Sequence, residues 1–234
     1  MSYHGGVSAM ELARAERAAL CDLLDQLGPD EPTLCSGWTT RDLTAHLVVR
    51  EGRPDAALGV LGGPLAAWTG KVQNDAASQP FDKLVRVVRT GPPIWSYFRV
   101  PFVDGQMNTV EFFVHHEDVR RRSDGWAARE LDPDLSDFLW DRLKLGGRLL
   151  FNGVKGGVIL QRTDGPSGEV DVHRAKSGKP KVTLTGTAGE LTIIAYGRHE
   201  TDVLVEGDAE AVAAFREANI HVDEEEPPAA ESLD

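Results

Sequence analysis

The sequence predicts a helical N-terminal domain, residues 1–150, followed by a small α+β domain, residues 151–221, and an acidic tail, residues 222–234. Two observations support this fold class. Apolar residues recur with the period of about 3.6 typical of helices as far as residue 150. Past Gly153 the period changes towards the value of about 2 that is typical of strands. The 234 residues suffice for two domains, each with its own core.

Capping signals mark the first two helices of the N-terminal domain. Ser8 is followed three residues later by Glu11, the S-x-x-E pattern of a capping box, and the apolar stripe that follows ends at Gly28. Thr39 and Asp42 have the same spacing at the start of the second helix. Apolar periodicity predicts further helices after Pro80, from Asn108, and over residues 133–145.

The C-terminal domain combines short strands with two helices. Turn-rich segments around residues 164–168 and 177–180 separate the first three predicted strands. The resulting order of β, β, β, α, β, α predicts a small α+β fold. The predicted strands are residues 158–161, 170–173, 182–185 and 202–205, and the predicted helices are residues 188–196 and 209–218.

The net charge of −12 excludes several classes of partner. An acidic surface repels phosphate backbones and anionic lipids, so we expect neither nucleic acid nor a membrane as partner. No stretch reaches the roughly 18 apolar residues of a membrane span. The first residues show no basic region followed by an apolar run, so we expect no export signal. The two cysteines, Cys21 and Cys35, are too few for a disulfide framework and favour structural roles in a reducing compartment, so we expect a cytoplasmic protein.

Three residues have the pattern of a metal site. Glu111 and His115 are four residues apart on a predicted helix, so their side chains can converge on one point. A third ligand must come from a facing helix, and His46 shares the apolar face of the second helix with two leucines. Two imidazoles and one carboxylate leave a position for water or substrate. The pattern therefore predicts a divalent metal. We expect zinc, although the same ligands suit nickel and iron and the sequence does not distinguish these ions.

Each of these residues also has a purely structural interpretation. Glu111 lies three residues after Asn108, so it has the spacing of a helix cap. A lone histidine such as His46 on an apolar face is often a core residue that hydrogen-bonds a carbonyl. Only one of the adjacent His115 and His116 can share the face of Glu111, and the spacing favours His115.

Two further residues are candidates for catalysis. Asp118 shares the Glu111 face and is expected either to orient a ligand or to act as an acid or base, although an ion pair with Arg121 or Arg122 explains it as well. Arg198, after a glycine that ends a predicted helix, has the chemistry to clamp a carboxylate, or lies at the surface near Glu200.

Four segments resemble a known family. Residues 34–47, which contain G-W-T-T-R-D-L-T-A-H, and residues 108–118, which contain E-F-F-V-H, are similar to the DinB-like metal-binding domain of mycothiol-dependent maleylpyruvate isomerases. Residues 189–198 and 205–208 resemble the sterol-carrier-like C-terminal domain of that family, so the similarity covers about residues 8–220. The resemblance implies a four-helix bundle with a crossover connection, a metal on His46, Glu111 and His115, and an anion-binding role for Arg198.

The resemblance implies a metal-dependent enzyme that uses a low-molecular-weight thiol, mycothiol, as cosubstrate. Such an enzyme isomerises or conjugates a small electrophilic substrate, because a metal-bound thiol loses its proton readily and the thiolate is the nucleophile. Two alternatives remain open at this point. The metal activates water in a hydrolase, with Asp118 or Glu117 as base, or the protein is a non-catalytic module that binds a metal and a small ligand. The substrate and the oligomeric state do not follow from the sequence.

Overall fold

A computed structural model describes residues 7–53, 66–100, 104–123 and 125–218. The chain divides into two compact units, with the division between Trp126 and Ala127. The first unit is helical, and the second contains a mixed sheet with helices, so the predicted fold class is confirmed. The predicted acidic tail lies outside the described residues. Among the described residues, no helix has the length and apolar character that a membrane span requires.

The helices of the first unit begin where the capping residues predict. A capping box between Ser8 and Glu11 starts the first helix, and the Asp42 carboxylate accepts a hydrogen bond from the Thr39 N–H at 2.9 Å before the second. Gly28 ends the first helix with a φ of 80°, a conformation that favours glycine. The helices are α1 (Ala9–Leu27), α2 (Thr40–Gly52), α3 (Ala66–Ala77), α4 (Phe81–Thr90) and α5 (Thr109–Arg120).

One apolar core joins α1, α2, α4 and α5, as a four-helix bundle requires. Helix α5 is buried on nearly every side, and Phe112 is fully buried against this core. The burial of apolar surface is the main driving force that holds the four helices together. The buried residues of the core are Leu20, Cys21, Leu24, Cys35, Trp38, Leu43, Leu47, Val85, Val88, Phe112 and Val119.

Two features of the first unit depart from the sequence-based expectation. Helix α3 was not predicted, because its segment contains Gly70 and its few apolar residues do not form a continuous stripe. Helix α5 is preceded by a π-helical turn over Asp104–Asn108, so the helical backbone starts before Asn108. A short 3₁₀ helix, Tyr97–Arg99, lies before this turn.

The second unit begins with α6 (Pro133–Leu150), which extends five residues beyond the predicted end at residue 145. The helix packs against a later helix and against the second strand of the sheet. The sequence-based boundary near residue 150 places α6 with the first domain, whereas the chain divides before it. The apolar stripe of Leu135, Leu139 and Leu143 predicts a buried face, but a stripe does not specify which core covers it.

The sheet of the second unit has the strand order β2-β1-β3-β4. Strand β1 pairs antiparallel with β2 and parallel with β3, and β4 pairs antiparallel with β3. Val158 and Leu160 of β1 stand beside Val182 and Leu184 of β3, and all four are buried. The elements are β1 (Gly157–Arg162), β2 (Asp171–Lys176), β3 (Lys181–Gly186), α7 (Ala188–Ala195), β4 (Leu204–Gly207) and α8 (Ala209–Glu217).

Candidate metal centre

Helices α2 and α5 bring three predicted ligands together. Nε2 of His46 lies 3.4 Å from Oε1 of Glu111, and Nε2 of His115 lies 3.4 Å from the same oxygen. One ligand atom from each of the three residues lies within 4.8 Å of the others. The spacing of four residues along α5 and the facing position of α2 therefore produce the convergence that the sequence predicts.

The distances between these atoms suit a small metal ion. A tetrahedral zinc ion with bonds of about 2.0–2.1 Å has ligand atoms about 3.3–3.4 Å apart, which matches both distances of 3.4 Å. Both histidine side chains are buried, whereas 23% of the Glu111 side chain is exposed. The group therefore has a solvent-accessible side at the carboxylate, as an open metal site requires.

The other ring nitrogen of His115 is held by Asp118. Nδ1 of His115 lies 3.0 Å from Oδ2 of Asp118, which is completely buried. The thiol of Cys35 donates a hydrogen bond to the same Oδ2 at 3.2 Å and lies 4.0 Å from Nδ1 of His115. When a carboxylate accepts a hydrogen bond from Nδ1, the Nε2 lone pair is free, and here Nε2 faces Oε1 of Glu111. Of the roles predicted for Asp118, these contacts support the orientation of a ligand.

The contacts of Asn108 are inconsistent with a capping box between Asn108 and Glu111. Asn108 has helical backbone angles, and its side chain does not cap α5. Its amide instead contacts the Arg50 guanidinium and donates to Oε1 of Glu51 at 2.8 Å. Since the Glu111 carboxylate faces two histidines, its position matches that of a ligand and not that of a cap.

A permanent cation lies beside the carboxylate of Glu111. Nε of Arg50 is 2.9 Å from Oε1 of Glu111, and the guanidinium lies 4.3 Å from the centre of the Phe98 ring. Burial alone would raise the pKa of Glu111, but the Arg50 charge and the hydrogen bonds with His115 and His46 hold it well below its usual value. Glu111 is therefore ionised at neutral pH, as a metal ligand must be.

In the metal-free protein His115 binds a proton strongly. Burial would lower the pKa of His115, but hydrogen bonds with Asp118, Cys35 and Glu111 outweigh it and hold the pKa well above the usual value. The same acidic surroundings that attract a proton attract a metal cation.

The neighbouring charged residues of α5 have other partners. Nδ1 of His116 lies 3.2 Å from Oε2 of Glu16, so only His115 shares the face of Glu111, as predicted. The Glu117 carboxylate accepts a hydrogen bond from Nε of Arg121 at 2.7 Å and is buried. A buried carboxylate paired with arginine is a poor base for a hydrolase, since the pairing stabilises its charge.

Arg198, the other candidate for catalysis, lies in the second unit just after α7. It is partly buried, and its guanidinium donates a hydrogen bond to the backbone carbonyl of Tyr196. Its predicted anion-binding role stays a prediction.

Aromatic residues surround part of the site. Trp38 packs against the His46 ring, with centroids 5.1 Å apart, and His46 and His115 meet edge to face at 5.3 Å. Phe98 is buried, whereas Tyr97 is partly exposed and stacks on it at 4.3 Å. Burial raises the pKa of Tyr97 by more than the nearby Arg50 charge lowers it. Trp95, two residues before Tyr97, is mostly exposed.

Sequence reasoning missed two contributors to the site. Arg50 lies four residues after His46, one helical turn away, so the spacing contained the signal that finds it. Cys35 comes from the loop between α1 and α2, and no local pattern predicts its contact with α5.

Comparison with known proteins gives three results. Residues 10–94 match the family described as "Mycothiol maleylpyruvate isomerase N-terminal domain". No curated protein sequence matches the chain. The fold is similar to the crystal structure of a mycothiol-dependent maleylpyruvate isomerase, with a TM-score of 0.58 and 16% sequence identity over 85% of this chain and 91% of that one. A histidine-to-alanine mutant of that enzyme gives the same values.

Proposed function

Because this chain belongs, through residues 10–94, to the mycothiol maleylpyruvate isomerase N-terminal domain family, we propose that it is a metal-dependent enzyme. It uses a low-molecular-weight thiol, mycothiol, as cosubstrate and either isomerises or conjugates a small electrophilic substrate. The observation that carries this proposal is the convergence of His46, Glu111 and His115. The solved structure similar to this chain is described as mycothiol-dependent, which supports the choice of thiol.

His46, Glu111 and His115 would hold the metal, and zinc is the ion we propose. Two imidazoles and one carboxylate are a common ligand set for catalytic zinc, and the distances of 3.4 Å between ligand atoms fit its tetrahedral geometry. A metal bound there supplies a Lewis acid that lowers the pKa of a thiol. The partly exposed side of Glu111 is where we place the approach of the thiol.

Other residues of the chain position this set. Asp118 holds the proton on Nδ1 of His115, so that Nε2 keeps a lone pair for the metal. Trp38 packs against the His46 ring and limits its rotation. We further propose that Arg198 binds an anionic group of the substrate, since a guanidinium matches a carboxylate in shape and charge.

The test combines metal analysis with thiol binding. Zinc content is measured by mass spectrometry on wild-type protein, His46→Ala and Glu111→Ala, with His199→Ala, an exposed histidine of the second unit, as the control. We expect about one zinc per wild-type and control chain and a loss of most zinc in the two ligand variants. Mycothiol is then titrated by calorimetry into zinc-loaded and zinc-free protein, and we expect binding heat only with zinc.

Each result bears on a different part of the proposal. If zinc content is unchanged in both ligand variants, the proposed zinc site is refuted. If the protein contains stoichiometric zinc but mycothiol gives no binding heat, the protein binds a metal without using this thiol. That result would favour a non-catalytic binding module or a hydrolase. Candidate electrophiles then separate the two reactions, because conjugation consumes the thiol whereas isomerisation returns it.

A further inference from the structure

The guanidinium of Arg50 is a fixed part of the proposed metal site. Its Nε lies 2.9 Å from Oε1 of Glu111, the oxygen that both histidines approach. Its Nη1 donates a hydrogen bond to the side chain of Asn108, and its flat face lies on the Phe98 ring. Contacts on three sides hold the positive charge next to the carboxylate.

A network of buried hydrogen bonds on the Asn108 side of Arg50 holds its guanidinium in this position. Asn108 donates a hydrogen bond to Oε1 of Glu51 at 2.8 Å. Glu51 in turn accepts two hydrogen bonds of 2.6 Å from the guanidinium of Arg17. Arg17, Glu51 and Asn108 are all buried, so water does not compete for these bonds. The network therefore fixes the amide of Asn108 and, through it, the guanidinium of Arg50.

The position of Arg50 changes the charge of the site. Glu111 is the anionic member of the proposed ligand set, and the guanidinium beside it offsets that charge. The histidines are neutral when they bind a metal. A site with a divalent ion would therefore keep the whole positive charge of that ion before an outside ligand arrives. A positive, largely buried site favours an anion over a neutral ligand.

Arg50 also retains a donor. Within the described parts of the chain, its Nη2 has no hydrogen-bond acceptor, while its Nε and Nη1 lie against Glu111 and Asn108. Nη2 belongs to the same rigid guanidinium, so it lies close to the carboxylate. It is therefore placed to donate a hydrogen bond to an anion that enters beside Glu111.

We propose that Arg50 makes this site select anionic ligands, a thiolate or a carboxylate, over neutral ones of similar size. The proposal rests on the function proposed above, because it concerns the outside ligand of the same metal site. Arg50 is accordingly a specificity-determining residue, and its charge is the property that matters.

The experiment uses cobalt as a spectroscopic substitute for zinc. Azide, an anion, and imidazole, a neutral ligand, are titrated into the cobalt-loaded protein, and the visible absorption of cobalt reports binding. The variants are Arg50→Gln, which removes the charge, and Arg50→Lys, which keeps it. Arg86→Gln removes a charge from an exposed arginine on α4 and serves as the control. Cobalt content is measured first for every protein.

We expect the Arg50→Gln variant to bind azide at least about tenfold more weakly, with imidazole affinity changed less than about threefold. Arg50→Lys and Arg86→Gln should keep the ratio of the two affinities within about threefold of wild type. An unchanged ratio in Arg50→Gln overturns the proposal. If Arg50→Gln does not fold or does not bind cobalt, the test rests on Arg50→Lys. Because lysine keeps the positive charge, a fall of about tenfold in the ratio of azide affinity to imidazole affinity in this variant would contradict the proposal. Absence of cobalt from the wild-type protein refutes the proposed metal site itself.

Discussion

Nδ1 of His115 and Oδ2 of Asp118, three residues apart on α5, lie 3.0 Å from each other. Asp118 is completely buried and also accepts a hydrogen bond from the Cys35 thiol, so its carboxylate has a fixed orientation. In the metal site proposed above, this pair would determine which nitrogen of His115 carries a proton. Nε2, which faces Glu111, would then remain available for the metal.

Asp118→Asn should weaken zinc binding by about 10- to 100-fold without removing the site. An amide is a weaker acceptor than a carboxylate, so the His115 ring is held less firmly and its Nε2 is less basic. Competition with a chromogenic chelator measures the affinity. Asp82→Asn, at an exposed position on α4, is the control and should bind zinc as the wild type does. Equal affinity in both variants would show that Asp118 does not orient His115.

Zinc binding should release close to one proton at pH 7. The hydrogen bonds that hold the pKa of His115 well above its usual value keep the ring protonated in the metal-free protein at this pH. The proton must leave before Nε2 binds zinc, so the apparent affinity should rise about tenfold per pH unit until the pKa of His115 is reached.

Calorimetry in buffers of different ionisation enthalpy counts the released protons. Asp118→Asn should release fewer, because it weakens one of the hydrogen bonds that raise the pKa of His115. A binding enthalpy that does not depend on the buffer would mean that His115 is already neutral at pH 7.

The predictable part of the site is the part that local geometry determines. The spacing from Glu111 to His115 is one helical turn, and any α-helix brings such a pair together. The approach of His46 depends on the packing of α2 on α5. Its place on the apolar face of the second helix makes His46 the candidate for the third ligand, and the family resemblance implies the same residue.

The remainder depends on contacts between distant parts of the chain. Asn108 precedes α5 and has the sequence of a helix cap, yet its side chain binds Arg50 and Glu51 from α2. The loop residue Cys35 reaches Asp118 from more than 80 residues away in the chain. The sequence misplaced the start of the second unit for the same reason. The apolar stripe of α6 is compatible with the core of either unit, and only contacts with distant residues determine which one it joins.

Cys21 should make the first unit less stable at alkaline pH. Burial in the core raises the pKa of its thiol from 9.0 to about 11. A raised pKa in the folded state gives a stabilisation that is complete below pH 9.0 and is lost as the pH rises towards 11. The loss amounts to at most about 2–3 kcal/mol.

Urea denaturation at pH 8, 9 and 10 tests this prediction. The stability of the wild type should fall more steeply than that of Cys21→Ala, which has no thiol to ionise. Parallel pH dependences would show that the thiol of Cys21 ionises as easily in the folded as in the unfolded chain.

Glu51→Gln should reduce the free energy of unfolding by about 3 kcal/mol, because it leaves the Arg17 guanidinium buried without its carboxylate. One Arg17 hydrogen bond, to the Val88 carbonyl at 2.9 Å, remains and limits the loss. Urea denaturation measures the effect. Arg86→Gln, which breaks an exposed ion pair on α4, should change stability by less than about 0.5 kcal/mol.

A double variant tests whether the stability lost in Glu51→Gln comes from the buried charge of Arg17. Arg17→Met combined with Glu51→Met replaces both charges with apolar side chains, so neither charge of this ion pair is left buried without the other. We expect the double variant to be more stable than Glu51→Gln. Most of the free energy of unfolding lost in the single variant should come from burying the Arg17 charge without the Glu51 carboxylate. A loss in the double variant as large as in Glu51→Gln would contradict this prediction, because the Arg17 charge is absent from the double variant.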